Sequence, residues 1–152
     1  MSRDDSAFEK ILSALPVRTC RAGETILSDG SKTGRLLILK SGEVEVLKNS
    51  AVLARVDQPH AVFGELAALL DQPHLADVRA SQDSALHVAD VTLLEKEPVV
   101  LLAVARILAR RFVIAHESLV ALKNAGSSPS AVRNVIAKME TQMLATQILI
   151  PF

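Results

Sequence analysis

The sequence predicts an α+β fold in which helices flank a small antiparallel β-roll of the jelly-roll or double-stranded β-helix type. Apolar and polar residues alternate with a period of two from Val17 to Val56, and glycine turns divide this stretch into short segments. A short helix is enclosed between Gly64 and Pro73, and a long segment without proline or glycine follows Pro98. Series of short hairpins are typical of antiparallel rolls, not of parallel sheets.

The composition suits one compact domain with an appended helical segment. The chain has 152 residues, 49% hydrophobic and 3% aromatic, so we expect a core of Leu, Val, Ile and Ala. Seventeen basic residues balance seventeen acidic ones, so no net charge draws the chain to DNA or to anionic lipid. Cys20 is the only cysteine, which excludes an intrachain disulfide and a cysteine-based zinc site. The N-terminus has no apolar signal core, so we expect a cytoplasmic protein.

The N-terminal segment is predicted to form an amphipathic helix. Ser6 and Glu9 have the spacing of a capping box, which places the start of the helix at Ser6. Pro16 limits the helix at its other end. Its apolar residues share one face, which the roll would cover: Phe8, Ile11, Leu12 and Leu15.

Residues 63–78, with the sequence FGELAALLDQPHLADV, are the most informative stretch of the chain. Gly64 opens an apolar run that ends at Asp71, so we expect a helix of about two turns. The first turn of a helix behind a glycine presents free N–H groups to an anion, and Glu65 would lie beside them as an acceptor for hydroxyl groups. Residues 78–80 and 85–88 are predicted to form two further strands.

This stretch resembles the phosphate-binding cassette of cyclic nucleotide-binding domains, the sensor domains of catabolite activator-type regulators and cyclic-nucleotide-gated proteins. The family pattern is approximately F-G-E-[LM]-A-L-L, a short spacer, then P-R-x-A-[ST]-V. Pro73, Ala76 and Val78 match it, but His74 stands at the arginine position and Asp77 at the Ser/Thr position. The strings RAGETI and LILKSGEVEV are similar to the first half of the family's roll, so the resemblance covers approximately residues 8–126.

The resemblance implies that Glu65 accepts a hydrogen bond from a ribose hydroxyl and that the N–H groups of Leu66 and Ala67 face an anion. The candidate ligand-binding residues are therefore Phe63, Gly64, Glu65, Leu66, Ala67, His74, Leu75 and Asp77. A neutral imidazole forfeits a charge-assisted pair worth roughly 1.5–3 kcal/mol. A carboxylate about 4 Å from a phosphate repels it by roughly 4 kcal/mol at an effective dielectric constant near 20. We therefore expect binding of cyclic AMP or cyclic GMP to be weakened or lost.

Two compensations for the replaced residues stay open. A protonated His74 could pair with Asp77, which would reduce the repulsion of a phosphate. Alternatively, Arg79 could take the role of the phosphate arginine, although the required register shift would spoil the match at Pro73 and Ala76.

The C-terminal part of the chain is predicted to be helical. Asp90 caps a turn of helix at 91–95, and Pro98 starts a long helix that Gly126 ends. Apolar residues recur along it at three- and four-residue spacings, as in a coiled-coil dimer seam: Leu101, Val104, Leu108, Phe112, Ala115, Leu119 and Leu122. The family's C-helix forms such a seam, whereas the alternative is a helix buried in the core of its own chain.

Residues 1–125 are thus predicted to form the roll with its long helix, and residues 126–152 a linker and a short helix. In the short helix Pro129 takes the first turn, and apolar residues line one face: Val132, Ile136, Met139 and Met143. The tail 147–152 is apolar and needs burial. A helix-turn-helix domain, which follows the C-helix in transcription factors of the family, is missing, so DNA is not an expected partner.

Nothing in the sequence indicates catalysis or a metal. The four histidines lack metal-ligand spacing with acidic residues, and the chain contains no G-x-S-x-G, P-loop or H-E-x-x-H motif. We predict a non-enzymatic, homodimeric sensor domain of the cyclic nucleotide-binding type, with no cofactor beyond a weakly bound or lost cyclic nucleotide. The alternative is a ligand-free interaction or dimerisation scaffold, with a protein partner, that kept the fold.

Overall fold

The computed structural model describes residues 3–145, which form five helices and eight strands. In chain order these are α1 (Arg3–Ser13), β1 (Val17–Cys20), β2 (Thr25–Leu27), β3 (Arg35–Ser41), β4 (Val44–Lys48), β5 (Ala51–Val56), β6 (Val62–Phe63), α2 (Glu65–Leu70), β7 (Asp77–Ala80), β8 (Ser84–Asp90), α3 (Val91–Lys96), α4 (Pro98–Ala125) and α5 (Pro129–Ala145). No helix within this range is long and apolar enough to cross a lipid bilayer.

The strands form two four-stranded antiparallel sheets, which confirms the predicted α+β roll. The first sheet has the order β1-β8-β3-β6 and the second has the order β2-β7-β4-β5. Strand β5 is therefore an edge strand, and its pairing with β4 is irregular between Val46 and Leu47. The cassette helix α2 follows β6 and precedes β7, so it connects the two sheets.

Strand β3 is buried on both faces, which explains its uninterrupted run of apolar residues. Leu37 and Leu39 belong to the core inside the roll, together with Phe63 and Val78. The alternate side chains, those of Leu36 and Ile38, belong to a second core formed with the helices. That core contains residues of α1, α3 and α4: Phe8, Leu12, Leu94, Val100, Ala103, Val104 and Ile107.

Helix α1 starts earlier than the capping-box prediction placed it. The helix already begins at Arg3, so Ser6 lies within its first turns and the prediction that it caps the helix was wrong. The acidic residues that precede Ser6 in the sequence suit the positive end of a helix. Phe8 and Leu12 are buried as predicted, which fixes the helix by packing rather than by a cap.

Helix α4 has the predicted length, and its apolar residues divide between two faces. Val104 is fully buried in the second core, so it cannot belong to an exposed seam. Leu101, Phe112 and Leu119 are exposed, the last two by 72% and 67%. The remaining seam candidates are half-buried: Leu108, Ala115 and Leu122.

Helix α5 folds back and contacts α4. Ser128 precedes it, and its hydroxyl accepts a hydrogen bond from the N–H of Ala131 at 3.4 Å. The apolar tail 147–152 lies outside the described residues.

Candidate functional site

The turn into the cassette helix requires glycine. Gly64 precedes α2 with φ of 81°, a left-handed conformation that side chains disfavour. A Cβ atom here would lie 2.7 Å from the carbonyl oxygen of Arg35 and 3.1 Å from the His74 ring. The helix ends at Asp71, also left-handed at φ of 51°, and the N–H of Gln72 closes the last turn on the Ala67 carbonyl. The backbone of the predicted cassette is therefore closely constrained.

Seven of the eight predicted ligand-binding residues line one small cavity beside this turn. The cavity measures about 140 Å³, and the seven are Phe63, Gly64, Glu65, Leu66, Ala67, His74 and Leu75. Leu27, Val46, Val62, Ala76 and Val78 complete its wall. Asp77 is the predicted residue that does not line it. The structure thus brings the cassette residues together, while their role in binding a ligand stays a prediction.

Glu65 forms an ion pair that the sequence analysis did not anticipate. Its side chain is 6% exposed, and its Oε1 atom accepts a hydrogen bond from Nη1 of Arg111 on α4. A signal for Arg111 exists in the sequence. It lies four residues after Ile107 and three before Ile114, both buried, so it faces the same side of α4. The pair connects the cassette directly to the long helix.

His74 is buried and forms hydrogen bonds with the loop that precedes β3. Its Nε2 atom lies 2.7 Å from Oγ1 of Thr33. Its backbone N–H donates to Ser31, and its carbonyl accepts from Gly30. Burial lowers the pKa of the imidazole below its ordinary value, because the charged form would lose solvation. Position 74 therefore presents a neutral ring instead of a cation.

Asp77 is turned to the backbone of the neighbouring loop. Its Oδ1 atom accepts a hydrogen bond of 2.7 Å from the N–H of Asp29. The Asp29 carboxylate binds Nζ of Lys48 at 2.7 Å, and the same ammonium donates to the Leu75 carbonyl at 2.8 Å. The predicted pairing of Asp77 with a protonated His74 is therefore absent from these contacts, since each side chain has another partner.

Arg79 does not take the position of the phosphate arginine, which was the second compensation considered from the sequence. Arg79 donates through Nη2 to Oε1 of Glu45 at 3.1 Å. Glu45 is itself buried, and its other oxygen lies 3.8 Å from Nε of Arg55. Arg79 thus serves as a cross-strand partner between β7 and β4, away from the cavity that Glu65 and His74 line.

A second cavity of about 330 Å³ lies beneath α5. The second sheet contributes Val46, Leu53 and Ala54, while α4 contributes Arg111. Helix α5 adds Met139, Glu140 and Met143. Val46 lines both cavities, and Arg111 joins them because it contacts Glu65 of the first. The two cavities are therefore neighbours, and α5 covers one of them.

The described side chains around the cassette offer no metal-binding cluster and no cation at position 74. No group of three or more His, Cys, Asp and Glu side chains within the described part of the chain could hold a metal ion. An anion at the start of α2 would meet N–H groups there, but position 74 is neutral and Asp77 carries a negative charge nearby. The cassette thus presents a buried carboxylate at Glu65 and an imidazole, not a guanidinium group, at position 74.

Comparisons with known proteins agree with the fold. The family model for the cyclic nucleotide-binding domain matches residues 17–96. The chain is 34% identical over 83 residues to the cAMP-dependent protein kinase regulatory subunit of Yarrowia lipolytica, covering 55% of this chain and 22% of that protein. It is 35% identical over 77 residues to the cGMP-dependent protein kinase of Toxoplasma gondii, covering 51% and 8%. The chain thus spans less than a quarter of either relative.

Solved structures show the same roll. The structure of PKAR CBD2 bound to Sp-2Cl-cAMPS superposes with a TM-score of 0.58 at 22% identity, covering 81% of this chain and 80% of that one. The N-terminal domain of a transcriptional regulator from Streptomyces coelicolor A3(2) superposes with a TM-score of 0.52 at 19% identity, covering 91% and 81%. At these identities the likeness concerns the fold alone.

Proposed function

The chain belongs to the cyclic nucleotide-binding domain family, and on this premise we propose that it is a regulatory sensor domain in which ligand binding at the cassette alters the C-terminal helices. The observation that carries the proposal is the ion pair between Glu65 and Arg111. It joins the residue that would accept a ligand hydroxyl to the helix that leads away from the roll. The proposed role is regulatory binding in the cytoplasm, not catalysis.

Through the ion pair, a ligand bound at the cassette would change the contacts of helix α4. A ligand hydroxyl that donates to Glu65 competes with Arg111 for the same carboxylate. Arg111 also lines the cavity beneath α5, so a change in its contacts reaches both α4 and α5. A ligand shifts such an equilibrium only by its difference in affinity for the two arrangements. Competition for Glu65 is one physical source of that difference.

Cyclic AMP and cyclic GMP are proposed to bind weakly or not at all. The reason is the replacement of two phosphate contacts by His74 and Asp77, whose side chains are held by Thr33 and by the N–H of Asp29. The loss of a charge-assisted pair and the added repulsion together correspond to roughly three to five orders of magnitude in the dissociation constant.

Calorimetric titration of the full chain tests this proposal. We expect no binding of cyclic AMP or cyclic GMP at micromolar concentration, and we expect His74→Arg with Asp77→Thr to create or sharply improve it. Glu65→Ala in that background should remove the gain. Because the chain contains no Trp, Leu53→Trp in the cavity beneath α5 gives a single fluorophore that should respond to the bound nucleotide. Micromolar binding by the wild type, or no gain in the double variant, would contradict the proposal.

A second candidate function, a dimerisation scaffold, is favoured by the exposed face of α4. Phe112 and Leu119 are seven residues apart, so they lie on one side of the helix about 10 Å apart along its axis. The other exposed apolar residues of α4 are Leu101, Leu102, Val113 and Val120. A second copy of the chain, packed helix to helix about a two-fold axis, is the proposed cover.

Light scattering at micromolar concentration tests the dimer. The expected mass is twice the 16.3 kDa of one chain, and Leu119→Asp should reduce it to that of a monomer. Because Leu119 is already 67% exposed, the substitution should leave the melting of the monomer nearly unchanged. Asn124→Asp, an exposed change about 140° around the helix from Leu119, is the matched control. A wild-type monomer would remove the support for the scaffold.

A further inference from the structure

The cassette cavity and the cavity beneath α5 form one candidate site with two compartments. Val46 lines both compartments, and the pair of Glu65 with Arg111 spans them. We propose that the ligand of this two-part site is an uncharged, predominantly apolar molecule that donates a hydroxyl group to Glu65. The inference rests on the proposed sensor function and specifies the chemical class of its ligand.

The charges of the lining side chains disfavour an anion. Among the residues that line the two compartments, all within the described part of the chain, Arg111 is the only Lys or Arg. Its charge is balanced by Glu65, while Glu140 adds a further carboxylate at the wall. His74 is neutral where the family pattern has arginine. An entering phosphate would therefore exchange its hydration for a site with more negative than positive charge.

Lys48, which contacts the cassette at the Leu75 carbonyl, does not change this balance. Its ammonium group donates to the Asp29 carboxylate and to the Leu75 carbonyl, at 2.7 and 2.8 Å. Moving the ammonium group into the cavities would break both contacts, which fix the loop before β7. The ammonium group is therefore committed to the structure of the cassette.

The remaining walls are apolar and adaptable. Met139 and Met143 enter from α5, opposite Leu53 and Val46 of the second sheet. Methionine side chains are flexible and polarisable, so they adjust to apolar ligands of different shape. The compartment beneath α5, at about 330 Å³, reaches the lower limit of roughly 300 Å³ for small-molecule pockets. A mainly apolar wall with one oriented polar group is typical of such pockets.

Adenosine and cyclic AMP provide a direct test, because they share base and sugar and differ in the cyclic phosphate. In the wild-type full chain we expect adenosine to bind at least as tightly as cyclic AMP. We also expect 2-naphthol, an uncharged apolar fluorophore that carries one hydroxyl group, to bind with a one-to-one stoichiometry. A site that recognises the phosphate would instead prefer cyclic AMP by roughly tenfold or more.

Two substitutions locate the bound probe. Val46→Asp places a carboxylate between the compartments and should weaken the binding of 2-naphthol at least tenfold. Val17→Asp, the same exchange at an exposed position of β1 that lines neither compartment, is the control and should leave the affinity unchanged. Met143→Asp, at a half-buried position of α5, replaces Val46→Asp if that variant loses its melting transition.

The outcomes separate this inference from the proposed sensor function. A preference for cyclic AMP, no binding of 2-naphthol, or an equal loss in Val17→Asp would overturn the inference. The sensor proposal is tested independently by the gain of cyclic AMP binding in His74→Arg with Asp77→Thr. A gain in that variant, with no uncharged ligand bound by the wild type, would retain the sensor scaffold and reject the ligand class.

Discussion

The two halves of the cassette are held in place in different ways. The first half, residues 63–70, is fixed by a backbone turn at Gly64 and keeps Glu65 directed into the cavity. In the second half, residues 73–78, side chains at the two replaced positions bond to the loop before β3: His74 to Thr33 and Asp77 to the N–H of Asp29. The first half is therefore fixed by its backbone, and the second half by side-chain contacts to a neighbouring loop.

The difference teaches that a binding scaffold and its ligand contacts are physically separable. The first half depends on a close approach between backbone atoms, which only glycine permits. The second half needs polar partners for His74 and Asp77, and the neighbouring loop provides them. Substitutions in the two halves should consequently have different effects on stability, and three predictions test this.

The largest effect is expected when the buried ion pair of the first half is broken. Arg111→Met leaves the Glu65 carboxylate buried without its partner, which should lower the free energy of unfolding by about 3–5 kcal/mol. Arg110→Met, an exposed change on the same helix, should cost no more than about 0.5 kcal/mol. Urea denaturation followed by circular dichroism measures both.

The double variant Glu65→Gln with Arg111→Met provides a further check. It removes both charges, so it should recover much of the loss. Equal stability of Arg111→Met and Arg110→Met would show that the pair contributes little.

An intermediate effect is expected at Gly64. Gly64→Ala introduces a Cβ that would lie 2.7 Å from the Arg35 carbonyl, in a backbone conformation that alanine disfavours. We expect the strain to lower the free energy of unfolding by about 1–3 kcal/mol. The displacement of the backbones at positions 64 and 35 should increase this loss. Gly23→Ala is the matched control, because φ is 89° but no atom lies within 4 Å of the added Cβ. Equal losses in the two variants would argue against the close approach.

The smallest effect is expected from protonation in the second half. Burial lowers the pKa of His74, so the unfolded chain binds a proton more readily than the folded one. The free energy of unfolding should therefore fall as the pH decreases below about 6.5, by at most about 1.4 kcal/mol per pH unit for one imidazole. It should stop falling once the pH is below the folded-state pKa.

His74→Gln, which keeps a partner for Thr33, should reduce this slope. His87 adds a similar contribution to the slope, because burial lowers its pKa and the nearby Lys40 and His60 lower it further. The control is His116→Gln, a change at an exposed position. Denaturation at several pH values measures the slopes. An unchanged slope in His74→Gln would show that His74 is not the responsible group.

Local patterns in the sequence were sufficient to predict the roll and the first half of the cassette. Alternating residues from Val17 to Val56 predicted the hairpins, and Gly64 predicted a turn that the structure confirms. Hairpins and turns of this kind depend on residues that are close together in the sequence. The capping box at Ser6 was also local, but packing of Phe8 and Leu12 against the sheet determines where that helix lies, and the helix begins at Arg3.

Contacts between distant segments could not be predicted in the same way. Arg111 is 46 residues from Glu65, and Thr33 is 41 residues from His74. Periodicity alone also could not decide which side of α4 faces the roll, so Val104 was placed in the dimer seam although it is buried. A spacing pattern identifies a helical face but not what covers it.

The edge position of β5 has a consequence for solubility. Val52 and Leu53 of this strand are exposed, and an exposed apolar edge is a template for pairing with another chain. The irregular pairing near Leu47 disturbs the flat edge, and Met139 and Met143 of α5 lie across from Leu53. Helix α5 thus borders the strand at Leu53 without covering it, and the exposed edge is open to pairing with another chain.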